Sequence, residues 1–423
     1  MSQVITDKKL ITELLDRGVE KIYPSRADLE KKLLSGEKIR LYCGYDPSSA
    51  SLQIGNAVSL NKLAQFQALG HEVIFLIGDF TCMIGDPTDK KAVRRQMTRQ
   101  EVLDNARDYQ QQASAYLRFS GDNSAQIKYN SEWNDRLNFG EVINLAANFT
   151  VQQMIQRDMF QKRIQEEKPI YLHEFLYPLV QANDSLELGV DLELGGNDQM
   201  FNMMCGRDLL KTRKNKEKFV MTLKLLTDDE GKKMGKSEGN AVFLNEDPKD
   251  IYGKVMSWPD GLIGPAFELC TQVPRSEIAL IVSGLKDQTA NPRDLKMKLA
   301  WELTRIVGSR AGSGEDIANL AQEHFINTIQ KKEVPDDLPS YSANGQKKLL
   351  VDWLVDAKLA ASKTEARQKI TEGAIKLKFE DSSDDSTAMQ VIKDVKYELD
   401  FSPTVKSVVI QKGKFNFVRI CAE

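Results

Sequence analysis

The chain has only three histidines, His71, His173 and His324, and five cysteines at no paired spacing: Cys43, Cys82, Cys205, Cys270 and Cys421. So few histidines leave little material for a Ser-His-Asp relay or a histidine-rich metal centre. The scattered cysteines argue against both a zinc site and a disulfide framework. No apolar run approaches the ~18 residues that span a bilayer, so a membrane partner is not expected. The opening "MSQVITDKKLITELLDRG" lacks the apolar core of a secretory signal and the acid-poor, Arg-rich character of an organellar one. The expected location is therefore cytoplasmic. An excess of positive charge is missing too. With a formal net charge of −3 there is no general basic coat for DNA or RNA, and any RNA must be met by local patches.

What remains is 423 residues, 41% hydrophobic and 28% charged, the balance of a soluble globular protein with two or three domains. "KIRLYCGYDP" (38–47) reads as a buried strand ending in Gly44 and a Pro-containing turn. Val58, Leu63, Phe66 and Leu69 then recur at helical spacing until Gly70 ends the pattern. "HEVIFLIGDF" follows as a strand covered on both faces. Strand, helix and strand of these lengths form a βαβ unit with parallel strands and a right-handed crossover. The helix start near Gly55 thus falls at the carboxyl edge of the sheet, where open α/β folds bind ligands.

The α/β texture continues. "YLHEFLYPLVQANDSLEL" (171–188) reads as a helix with an irregularity at Pro178. "VDLELGG" (190–196) reads as a strand and "NDQMFNMMCGRDLL" (197–210) as a helix capped by Asn197 or Asp198; "FVMTLKLLT" (219–227) is a further strand. Residues 246–330 read as helices. Polar 331–345 reads as a linker, and 346–423 as a small α+β unit with an apolar stripe at Leu349, Leu350, Trp353 and Leu354 and a capping-box signature at 362–365. The expected fold class is α/β: a Rossmann-like parallel-sheet domain over 1–245, then an α-helical domain, then the small α+β domain.

Three stretches carry candidate chemistry. "SLQIGNAVSL" (51–60) puts Gly55 between two side-chain amides, Gln53 and Asn56, at a helix start. Exposed N–H groups and the helix dipole suit phosphate there, and a glycine lets a ligand approach the backbone. The bland alternative is that Gly55 lets another chain segment pack closely. "GKKMGKSEGN" (231–240) sets Lys232, Lys233 and Lys236 among glycines. It reads either as a mobile cationic loop over a polyphosphate or as a solvated basic turn. "GDFTCMIGDPTDKKAVRR" (78–95) adds Asp86 and the bases Lys90, Lys91, Arg94 and Arg95. Finally Tyr177, Gln181 and Asp184, at i, i+4 and i+7, share one helix face; they read as a polar pocket wall or as an exposed stripe.

"QIGN" (53–56) followed by "KMGKS" (233–237) resembles the HIGH and KMSKS signatures of class I aminoacyl-tRNA synthetases. "LYCGYDPSSASLQIGN", "IGDPTDKK", "YPLVQAND" and "LGGNDQMFN" are similar to bacterial-type tyrosyl-tRNA synthetases, and the tail from about 346 resembles their S4-like RNA-binding domain. The resemblance implies that Tyr42 and Asp184 hold a tyrosine phenol. It implies that Asp86, Tyr177 and Gln181 hold its ammonium, with Gln199 near the carboxyl end. Gly44, Asp46, Gly55, Gly196 and Asp198 would lie around ATP. Ser48, Gln53, Asn56, Lys90, Arg94, Lys233 and Lys236 would face the triphosphate. It further implies ATP with Mg2+, L-tyrosine and tRNA(Tyr) as substrates, no metal ligands of the chain's own, an anticodon-binding role for 246–330, and a homodimer.

Three features depart from the pattern, one of them Gly235 where the second signature has serine, which should loosen the loop without removing either lysine. Gln53 stands where the signature has histidine; it can donate a hydrogen bond but cannot carry charge. The tail has 14 basic and 12 acidic residues over 346–423, a net +2, with an acidic stretch at 379–389. That is a weak footprint for phosphate. The rival readings are a tryptophanyl-type synthetase and a catalytically retired synthetase-like RNA-binding protein.

Overall fold

A computed structural model describes residues 3–87, 96–227, 241–330, 338–343, 347–381, 389–401, 405–413 and 416–422. Two compact units emerge, 1–318 and 319–423.

The first unit is built on a six-stranded sheet of β1 (Val19–Tyr23), β2 (Arg40–Tyr45), β3 (Glu72–Ile77), β4 (Gln126–Tyr129), β5 (Leu192–Gly196) and β6 (Phe219–Leu223). Their spatial order is β1-β6-β5-β2-β3-β4. Five strands run parallel, as the βαβ reading requires, and β1 joins the β6 edge antiparallel. The chain order reverses direction at β2, so the crevice between β2 and β5 is the switch point of the sheet. Only Leu41↔Leu192 and Tyr42↔Glu193 are in register there; beyond them the two carboxyl ends part.

The helix between β2 and β3 spans Ile54–Ala68, and Gly70 ends it with φ +90°. Val58, Leu63, Phe66 and Leu69 are all buried as the spacing predicts. Asn61 and Lys62 are buried as well, because their head groups reach backbone carbonyls: Asn61 Nδ2 donates to Thr271 O at 3.1 Å and Lys62 Nζ to Leu14 O at 2.5 Å.

Two helix starts differ from expectation. The 171–188 segment opens with a 3-10 turn, Leu172–Phe175, and its α-helix runs Leu176–Leu188. Pro178 therefore sits in the first turn, where its missing N–H costs nothing. Residues 197–199 likewise form a 3-10 turn, and Gln199 rather than Asn197 or Asp198 precedes the α-helix Met200–Lys214.

The helices of 248–308 belong to the first unit. Two of them begin with proline behind a capping side chain, Asp247–Pro248 and Asn291–Pro292. Arg17, 4% exposed, donates to the carbonyls of Phe267, Glu268, Thr271 and Val273, satisfying the open end of the Ile263–Cys270 helix.

The second unit packs the helices Leu350–Asp356 and Lys363–Thr371 against a five-stranded sheet whose long strands are Ile375–Asp381, Val405–Lys412 and Asn416–Cys421. Its core includes Leu350, Trp353, Leu354, Ile370, Leu377, Val408 and Ile410. Leu349 is exposed and Val351 is buried in its place, because the helix begins one residue after Leu349. Ser362 accepts from Glu365 N as the capping signature predicts, although the Glu365 carboxylate returns to Ala361 N. Of the acidic stretch, Glu380 is paired with Arg419 and Ser407, and 382–388 lie outside the described residues.

Candidate active site at the carboxyl edge of the sheet

The Ile54–Ala68 helix opens at the switch point with Gln53 as its N-cap in extended backbone. Asn56 closes the turn: its Oδ1 accepts from Gln53 N at 2.9 Å, and its own N–H donates to Gln53 O at 2.8 Å. Among the described residues, the atoms nearest a Cβ on Gly55 are those of the Gln53 side chain, at 3.9 Å. Close packing of another described segment is therefore not what requires the glycine. A second element frames this entry. Ile54 N donates to Val242 O and Leu244 N to Leu52 O, both at 2.8 Å, so the chain at 242–244, a few residues after the KMGKS motif, is tied to the start of the helix. Lys90, Arg94, Lys233 and Lys236 themselves, like Lys91, Arg95 and Lys232, lie outside the described residues.

Deeper in, the polar face of the Leu176–Leu188 helix is buried, which removes the exposed-stripe alternative. Asp184 is 2% exposed and accepts three hydrogen bonds: from Trp133 Nε1 at 2.8 Å, Asn134 Nδ2 at 3.0 Å and Asn130 Nδ2 at 3.1 Å. In its ionised form, which the three donors favour, the carboxylate offers about four acceptor positions, so one remains. Burial pushes its pKa up to about 8 against those three donors. Tyr42 is also buried; its hydroxyl shares a hydrogen bond with Ser185 Oγ at 2.9 Å rather than with Asp184. Burial and the Glu193 and Asp184 carboxylates hold its phenol well above its ordinary range.

The three groups assigned to an ammonium do not contact one another as a set. Tyr177 Oη donates to Asp46 Oδ2 at 2.8 Å, Gln199 Nε2 to Asp86 Oδ2 at 2.6 Å, and Gln181 Nε2 to Glu193 Oε1 at 3.0 Å. Asp46 also accepts from Thr81 Oγ1 at 2.7 Å. Gly44, Ser48 and Asp198 are exposed at the strand ends, with Gly196 half-buried between them. The residues assigned to ATP are thus at the carboxyl edge of the sheet, and buried Tyr42 and Asp184 lie behind them. Among the described residues, no group of three or more His, Cys, Asp or Glu could hold a metal ion.

Loss of water also raises Asp46, to about 7. A carboxyl raised on folding keeps its proton in the folded chain where the unfolded chain, near 3.8, has lost it. Between about pH 4 and the folded values the folded state binds more protons, so stability falls as pH rises. Asp46→Asn removes one of these groups. Urea unfolding from about pH 5 to 8 is expected to show a shallower loss of stability than the wild type, by on the order of 1 kcal/mol per pH unit. Equal slopes would mean Asp46 is ionised throughout.

Several participants carry no motif signal. Asn130, Trp133 and Asn134 follow β4, a short strand that the sequence pattern does not announce. Glu193 and Lys218 are buried charges that pair with each other. A lone acid between Leu192 and Leu194 in a central strand was the legible hint of that pair.

Comparisons with known proteins agree with this geometry. Residues 34–330 match the family described as tRNA synthetases class I (W and Y), and residues 330–420 match the Tyrosine--tRNA ligase SYY-like C-terminal domain. The chain is 40% identical over 409 residues to a protein of Thermotoga maritima named tyrosine--tRNA ligase, covering 96% of each. It is also 40% identical over 407 residues to one of Haemophilus ducreyi with the same name, again covering 96% of each. Among solved structures, a truncated mitochondrial tyrosyl-tRNA synthetase of Aspergillus nidulans matches in fold with a TM-score of 0.63 at 22% identity, over 74% of this chain and 92% of that one. Tyrosyl-tRNA synthetase of Archaeoglobus fulgidus, complexed with L-tyrosine, matches with a TM-score of 0.58 at 21% identity, over 75% and 100%. A sheet that parts at its switch point, a glycine-opened helix behind it and a full-length likeness at this identity together place the chain in the tyrosine--tRNA ligase family of class I tRNA synthetases.

Proposed function

We propose that the protein activates L-tyrosine with ATP and transfers the tyrosyl group to the 3′ end of tRNA(Tyr). The substrate carboxylate attacks the α-phosphate. An acyl–phosphate bond forms, the bond to the β-phosphate breaks, and pyrophosphate leaves with the electron pair. A tRNA hydroxyl then attacks the acyl carbon and AMP departs. Neither step needs a protein nucleophile, which fits a chain with three histidines. What the protein supplies is position and charge. Gln53, Gly55 and Asn56 present the helix N-terminus to the phosphates, which enter with Mg2+. Lys90, Arg94, Lys233 and Lys236 follow the charge of the leaving pyrophosphate.

The observation that carries the reading of a substrate with a polar aromatic tip is Asp184, buried, held by three N–H donors and, when ionised, left with one acceptor position beside Tyr42. A phenol O–H completes it; an indole N–H can donate there too, and the full-length likeness to tyrosine--tRNA ligases is what favours tyrosine over tryptophan. The helices of 246–330 would meet the anticodon and the 346–423 unit a further part of the tRNA, in a cytoplasmic homodimer. The test is ATP–pyrophosphate exchange with each standard amino acid. Exchange with tyrosine alone is expected. A tryptophan signal would replace the substrate assignment, and silence with retained tRNA binding would make the chain a retired synthetase.

A further inference from the structure

A buried ammonium lies behind the pocket, and no step of the reaction calls on it. Lys218 is fully buried and has three acceptors for its three N–H bonds: the Glu193 carboxylate, Ser185 Oγ at 2.7 Å and Met203 O at 3.1 Å. The fold makes room for it. A Cβ on Gly206 would stand 2.6 Å from Lys218 Nζ and 2.7 Å from Ser185 Oγ. Glu193, register partner of Tyr42 across the switch point, turns Oε2 to Lys218 and Oε1 to Gln181.

The chemistry of that last contact is one-sided. A carboxylate paired with an ammonium only accepts, so the nitrogen end of the Gln181 amide must face it. The other end, Gln181 Oε1, is buried and has no hydrogen-bond partner among the described residues. An isolated amide could present either end, since its two orientations have nearly the same shape. Here the choice has already been made. We infer that the Glu193–Lys218 pair is a positioning couple that aims the Gln181 carbonyl at the substrate ammonium. The inference rests on the tyrosine pocket proposed above. Lys218 holds Glu193 as an acceptor, Glu193 holds the amide nitrogen, and the freed carbonyl oxygen receives an N–H of the amino acid. The couple touches no reacting atom.

Glu193→Gln tests this at constant volume. Beside Lys218 the new amide must turn its oxygen to the ammonium, which puts its nitrogen against Gln181. Gln181 then flips and offers N–H groups to the substrate ammonium. In pyrophosphate exchange the KM for tyrosine is expected to rise about twentyfold, with kcat and the KM for ATP within about twofold of wild type. The inhibition constant of 3-(4-hydroxyphenyl)propanoate, tyrosine without its amino group, is expected to stay within about twofold, because it has no ammonium to misread. The double variant Glu193→Gln, Lys218→Met frees the new amide to turn its oxygen back to Gln181. It should bring the tyrosine KM to within about threefold of wild type, although it removes a second buried polar group. Equal weakening of tyrosine and the deaminated analogue in E193Q, with no recovery in the double variant, overturns the inference and leaves the couple a core ion pair. A wild-type protein silent with tyrosine is a different failure, that of the substrate reading itself.

Discussion

Alanine in place of Asp184 is expected to lower kcat/KM for tyrosine by at least about a hundredfold and to leave that for phenylalanine nearly unchanged. The reason is an imbalance in hydrogen bonding. Three donors, Trp133 Nε1, Asn134 Nδ2 and Asn130 Nδ2, converge on this carboxylate in a buried site. Removing it takes away the proposed acceptor for the phenol and leaves those donors facing a void. An unpaired buried donor costs about 1–3 kcal/mol, and each 1.4 kcal/mol is tenfold in rate or affinity. Phenylalanine has no hydroxyl to lose, so the preference between the two amino acids collapses from the tyrosine side. Chemical unfolding should record a loss of roughly 3 kcal/mol or more in the same variant. Steady-state exchange with both amino acids measures the first effect. If the preference survives in D184A, another group reads the far end of the ring.

Gly55→Ala should separate stability from activity in the opposite direction. Within a helix alanine is favoured over glycine by about 1 kcal/mol, less near the first turn. Among the described residues the atoms nearest the added methyl are those of the Gln53 side chain, at an ordinary contact distance of 3.9 Å, and the backbone there is not left-handed. The folded protein gains or stays level. What changes is the floor of the proposed phosphate site. A Cβ there holds a triphosphate off the N–H groups of the helix, and a displacement of about 1 Å can cost about a hundredfold in rate. The expected outcome is a melting temperature equal to or slightly above wild type and a kcat/KM for ATP lower by about a hundredfold. A fully active G55A would remove the helix entrance from the catalytic assignment.

The two variants mark different degrees of legibility. The place of Gly55 was readable because strand, helix and glycine follow one another locally, and their periodicities name their elements. The Tyr177–Gln181–Asp184 face was readable as a face. Whether it was buried was not, since a polar stripe looks the same in a pocket and in water. Nor were its partners. Tyr42 and Asp184 were expected to act as a pair, yet each has its own support, Ser185 for one and Asn130, Trp133 and Asn134 for the other. The expected helix starts at Tyr171 and Asn197 gave way for a smaller reason. A 3-10 turn and an α-turn share the same local preferences and differ by one hydrogen-bond partner.

The sequence by itself determined the βαβ core, the glycine at its ligand edge, the α+β tail and the family to which their order belongs. The first three follow from side-chain periodicity and turn chemistry within about ten residues, and the family from the resemblance carried by the QIGN, KMGKS and intervening motifs. The tertiary structure alone decided that β2 and β5 part beyond Tyr42 and Glu193, that the chain at 242–244 is fastened to 52–54, and that Lys218 stands behind Gln181. Each of those joins side chains or strands remote in sequence. A buried charge or amide takes its orientation from whichever partners the fold brings within 3 Å, and no local pattern encodes that choice.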